Sequence, residues 1–136
     1  MPVNLQNDPI WNQLDDLSRR VNPETLALAH IEECENKIRG YWHGSEHYEE
    51  IYFTSPLRAE LESISVKKRK SVPHNFRSVK MNFLLFGQPV PSQSQLTDED
   101  DDEIGELTLV FNDQMEFIDE NWIIDVESPL IVAKRG

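Results

Sequence analysis

The chain reads as an α+β domain, with two N-terminal helices packed on a curved, mostly antiparallel sheet of about five or six strands and one further short helix. Three observations predict it. Apolar residues recur at three- and four-residue steps as far as Ile38, they alternate at every second position from Val79 onward, and turn-forming pairs punctuate the stretches between.

The first helix starts at Asp8, a capping residue, with Pro9 at the first helical position, where its missing N–H costs nothing. Ile10, Leu14, Leu17 and Val21 then share one face. Asn22-Pro23 repeats the start signal, and the second helix carries Ala27, Ile31, Cys34 and Ile38 on a stripe that Gly40 is expected to end. Ile51 and Phe53 alternate with polar neighbours, as a strand does. Ser55-Pro56 is another cap signal, and Leu57, Leu61 and Ile64 fit a short helix, although Leu57, Ala59 and Leu61 also alternate as in a strand.

Val79, Met81, Phe83 and Leu85 form one apolar face, and Leu84 and Phe86 make the opposite face apolar as well, the pattern of a central strand. Leu107, Leu109 and Phe111 mark a further strand, which turns at Asn112-Asp113-Gln114 into a returning strand begun by Met115 and Phe117. Apolar parity then switches to Trp122, Ile124 and Val126, which requires a bulge or turn near Asp119 to Asn121. Leu130 to Ala133 close the sheet. Prolines, Ser/Gln repetition and the acidic run Asp98 to Glu103 predict a disordered loop over about 88–103. The helix-then-sheet order resembles that of cone-shaped domains related to nuclear transport factor 2, and a fold of that kind implies an enclosed pocket.

At 136 residues the chain fits one domain, 1–136. Cys34 is the single cysteine, which excludes an internal disulfide and any zinc site built on paired thiolates. No signal peptide is evident, and no apolar run approaches the roughly 18 residues that span a bilayer. The expectation is a cytoplasmic protein that uses no membrane. A net charge of −12 disfavours nucleic acid and suits a basic protein partner.

His43-Gly44-Ser45-Glu46-His47 matches the H-x-x-E-H pattern of inverted zincins, which needs both histidines on one helical face. Gly40, Gly44 and Ser45 oppose that helix, so a polar turn is the expectation. A calcium loop beginning at Asp98 would need glycine where Glu103 stands. Asp119 and Asp125 could meet in a pocket, but with 25 acidic residues such pairs arise by chance. Neither a catalytic set nor a metal or cofactor is expected, and Cys34 reads as a structural thiol.

Trp42 and Tyr48 stand beside Glu46, Glu49 and Glu50, with Glu32 and Glu35 on the second helix. Aromatic rings among carboxylates suit recognition of a basic partner. That makes a protein-binding module of the inhibitor, immunity or regulatory kind the leading expectation. The alternative is a small-molecule or enzymatic pocket, with His30, His43, His47 or an aspartate as its acid–base group. A weaker alternative is nucleic-acid contact through the basic patch Lys67, Lys68, Arg69 and Lys70, which could also direct the chain to a nucleus.

Overall fold

Both helices start where expected in the computed structural model, which describes residues 6–54, 56–70, 75–87 and 102–135, but the Asn22 side chain makes no cap hydrogen bond. Asp8 Oδ1 accepts the Ile10 N–H at 2.9 Å and opens α1 (Ile10–Val21). Asn22 ends α1 in the left-handed region, at φ 49°, and Pro23 begins α2 (Pro23–Glu33). Only α2 is built into the core, through Pro23, Ala27 and Ile31. No residue of α1 is buried; Leu17 and Val21 lean on the core, and Ile10 and Trp11 stay exposed.

The second helix is shorter than its apolar stripe predicts. It stops at Glu33 in a Schellman turn, with Glu35 N–H bonded to Glu32 O at 2.9 Å and Asn36 N–H to Ile31 O at 3.1 Å. Glu35 and Asn36 both take positive φ, 61° and 57°. Glutamate is a strained occupant of a position that usually holds glycine, which hides this helix end from a sequence reading. Glu35→Gly is therefore expected to raise stability by about 1 kcal/mol, read as a higher urea midpoint with unchanged slope. A lower midpoint would mean that the turn is not left-handed there. Gly40 is not the helix stop; it lies within the first strand, at φ 70°.

Seven strands follow, β1 (Lys37–His43), β2 (Glu46–Phe53), β3 (Leu57–Lys70), β4 (Asn75–Gly87), β5 (Asp102–Asn112), β6 (Phe117–Ile124) and β7 (Ile131–Arg135). They divide between two antiparallel sheets in place of one curved sheet, in the orders β1-β2-β7 and β3-β4-β5-β6. The short helix expected at Leu57–Ile64 is part of β3. A bulge between Leu61 and Ser63 shifts the inward parity from Leu57, Ala59 and Leu61 to Ile64. That one-residue shift produces the four- and three-residue spacing of a helix. Glu24 of α2 reaches this point, its carboxylate accepting the Leu61 N–H at 3.2 Å.

The parity switch predicted near Asp119 to Asn121 is an irregularity in the β5–β6 register, where Phe111 pairs with Phe117 and Val110 with Asp119, leaving Ile118 extra. Asn112 organises the turn before it, its Oδ1 accepting the N–H groups of Gln114 and Glu116, each at 2.9 Å. The acidic loop expected over 88–103 lies outside the described residues up to 101. Asp102 and Glu103 belong to β5, paired with Gly87 and Phe86.

One core joins the two sheets. Ala27 and Ile31 of α2, Ile51 of β2, Met81, Phe83 and Leu85 of β4, and Ile104, Leu107, Leu109 and Ile124 of β5 and β6 are buried within it. Tyr41 ties β1 to β6, its hydroxyl accepting the Ile124 N–H at 2.9 Å. No helix among the described residues is long and apolar enough to cross a membrane.

Candidate functional site

The Schellman turn brings the end of α2 against β1 and β6, and an open cleft of about 580 Å³ forms between them. Glu33, Cys34 and Glu35 contribute one wall, β1 from Lys37 to Trp42 the second, and Glu120, Asn121 and Trp122 of β6 the third. The wall residues thus come from three separate elements.

Beside the cleft, His30 and the cleft-lining Cys34 stand four residues apart at the end of α2 and so share a side. Glu120 arrives from β6 and hydrogen-bonds His30 Nε2. Cys34 Sγ lies 3.8 Å from the same nitrogen. The imidazole packs against Phe117 and Trp122, with ring centroids 4.9 and 6.2 Å away. Burial raises the pKa of the Cys34 thiol, and the carboxylates of Glu120 and Glu33 push it further in the same direction. Cys34 is therefore a protonated, half-buried thiol at neutral pH, with little nucleophilic character.

The carboxylates expected to meet a partner fall into two groups. Glu46 and Glu50 are engaged within the first sheet. Glu46 pairs with Arg135 at 2.8 Å and accepts the Tyr48 hydroxyl at 3.2 Å. Glu50 accepts the Tyr52 hydroxyl at 2.6 Å and lies 3.6 Å from Lys37. The Tyr52 bond, followed by Lys37, holds the Glu50 carboxyl below its usual value, and the same bond raises the Tyr52 phenol. A carboxyl with a depressed folded pKa stabilises the fold above its unfolded pKa, and that contribution fades as pH falls through the folded value.

Glu32, Glu35 and Glu49 are exposed, and Glu32 and Glu49 make no ion pair among the described residues. Glu35 lies 3.6 Å from Lys37 and keeps a side-chain exposure of 72%. Trp42 is 65% exposed and rests against His47, with ring centroids 4.7 Å apart. Tyr48 belongs to the core instead, at 7% exposure, so its ring is not open to a partner. Of the expected contact residues, the structure brings Glu35 and Trp42 together on the cleft and leaves Glu32, Glu46, Tyr48, Glu49 and Glu50 outside its lining.

The H-x-x-E-H segment is a β-hairpin. His43 pairs with Glu46 and Trp42 with His47, across a two-residue connection in which Gly44 takes φ 61°. Successive cross-strand pairs point to opposite faces, so His43 and His47 do not share one. Asp119 and Asp125 bond locally, accepting the N–H groups of Glu120 and Glu127. The basic run Lys67 to Lys70 forms the end of β3, paired with β4 from Ser78 back to Asn75. Lys67 and Lys68 are exposed and border a smaller hollow of about 290 Å³ beside Arg77 and Asp113.

The sequence marks Trp122 only through the parity switch and gives Glu120 no role. The parity switch marks β6 as irregular, yet only its pairing with β5 turns Glu120 towards α2, 90 residues away in sequence. No protein-family model, characterised protein sequence or solved structure matches the chain.

Proposed function

We propose that the protein binds a basic segment of a partner protein, with a lysine or arginine side chain entering the cleft beside Trp42. The observation that carries this reading is a largely exposed tryptophan on a cleft that also presents Glu33, Glu35 and Glu120. A ring left in water gains apolar burial when a partner covers it, and a cation over its face adds about 0.5–2 kcal/mol. Lys37, which shares the cleft, lies 3.6 Å from both Glu35 and Glu50, so it occupies Glu35 in part and makes no ion pair with Glu33 or Glu120. The net charge of −12 supplies long-range attraction.

The test is to capture the partner from lysate of the native host and measure binding kinetics. Reversing Glu32, Glu33 and Glu35 to lysine is expected to slow association, and raising salt from about 0.1 to 1 M, which shortens the screening length from about 10 to 3 Å, should have the same effect. Trp42→Ala is expected to speed dissociation by about thirtyfold, as loss of a central anchor worth about 2 kcal/mol does. Association that ignores both salt and charge reversal, with dissociation unchanged in Trp42→Ala, would defeat the proposal.

A second reading, a small-molecule or catalytic pocket, is favoured by the cleft's volume of about 580 Å³ and by the imidazole–carboxylate contact beside it. His30 would then be the acid–base group and Glu120 the residue that orients it.

A further inference from the structure

We infer that His30, Cys34 and Glu120 form a zinc-type divalent metal site beside the cleft, with one coordination position open to it. The proposal does not rest on a basic partner binding near Trp42, which it would oppose through the shared Glu120. Three donors of different chemistry, an imidazole nitrogen, a thiol sulfur and a carboxylate oxygen, lie within 4.8 Å of one another.

Zinc holds nitrogen and oxygen at about 2.0–2.2 Å and sulfur at about 2.3 Å. At tetrahedral angles such donors stand about 3.3–3.6 Å apart. The 3.8 Å between Cys34 Sγ and His30 Nε2 is within a few tenths of an ångström of that spacing. Glu120 already contacts Nε2, so its carboxylate has only to draw back for the ion to take the place of the shared hydrogen. The Cys34 thiol, protonated in the free protein, gives its proton to water as the ion binds. A mixed nitrogen, sulfur and oxygen set suits zinc; calcium and magnesium take oxygen ligands throughout.

The donors stand on framework rather than on loose loops. His30 is in the last turn of α2, with its ring packed against Phe117 and Trp122. Cys34 caps the same helix, its N–H bonded to His30 O at 3.1 Å. Glu120 is fixed by β6, where it pairs with Leu109 of β5. Cys34 and Glu120 line the cleft, and His30 contacts both. An ion held by all three therefore faces the cleft, where water or a ligand would complete its shell. Three protein donors with an exposed fourth position is the arrangement of catalytic rather than structural zinc. Because Glu120 belongs to both, zinc and a cationic group in the cleft should exclude one another.

The test uses the full chain without a histidine tag, stripped with chelator and kept reduced. Titration of zinc against a chromophoric chelator of micromolar affinity is expected to show one ion per chain. Cobalt in its place should give a thiolate-to-metal charge-transfer band. Cys34→Ser should abolish that band and, like Glu120→Gln, weaken zinc binding by about a hundredfold or more, with circular dichroism confirming that each variant is folded. The double variant His43→Ala/His47→Ala should bind as the parent does. Failure of the parent to bind one zinc would overturn the site. So would binding that survives in Cys34→Ser and Glu120→Gln, or binding lost in the His43/His47 variant, which would place the metal on the acidic surface or the hairpin.

Discussion

Alanine at Phe83 is expected to lower the unfolding free energy by about 3–5 kcal/mol, and alanine at Leu109 or Ile124 by about 2–5 kcal/mol. Phe83 is fully buried in β4, paired with Leu61 of β3 on one side and Leu107 of β5 on the other. A central strand held on both edges cannot collapse into the space its ring would leave, so the cavity persists and the cost stays high. A domain of this size has only about 5–15 kcal/mol of net stability, so a loss of that order threatens folding. Urea unfolding followed by circular dichroism gives the values. Costs below about 0.5 kcal/mol, typical of surface positions, at two of the three sites would show that the inward face of the β3–β6 sheet is wrongly assigned.

A single methyl at Gly105 is expected to cost about 3 kcal/mol or more, through overpacking and backbone strain together. Gly105 lies in β5 between Leu85 of β4 and Ile124 of β6, at φ 157°. A Cβ there would stand 2.1 Å from the Ile123 carbonyl oxygen and 3.0 Å from the Ile124 Cα. Those neighbours are backbone, which cannot swing aside as a side chain does. The β5–β6 pairing must therefore open, and with it the strand that carries Glu120 and Trp122 to the cleft. Urea unfolding together with amide exchange in β6 checks both parts. A loss under about 1 kcal/mol with β6 still protected would mean that the two strands are not in this register.

The local signals that survive folding are those whose partners lie within a few residues. Asp8 accepts the Ile10 N–H at the start of α1, Pro23 opens α2, the alternation at Val79 to Leu85 marks β4, and Asn112 makes its turn. The parity switch in β6 was also legible, with the extra residue at Ile118, one position before the predicted window. Where sequence reading failed, two periods coincided. Leu57, Leu61 and Ile64 have helical spacing, but β4 offers an unpaired edge along their whole length, and one bulge reconciles that spacing with a strand. The end of α2 escaped for a different reason, because Glu35 occupies a left-handed position without being glycine.

The candidate site divides along the same line. The i,i+4 placement of His30 and Cys34 follows from the helix alone, and the acidity of the chain from its composition. Sequence by itself determined the helices' starts, the inward faces of β4 and β5, and the surplus of carboxylates available to any basic or metallic ligand. Tertiary structure alone decided which carboxylates are spent internally, as Glu46 is on Arg135 and Glu50 on Tyr52, and which one meets the imidazole and the thiol. Period and charge are properties of neighbours along the chain. The approach of Glu120 to α2 depends on a strand register set far away in sequence, and a shift of one residue in β6 would turn that carboxylate to the other face.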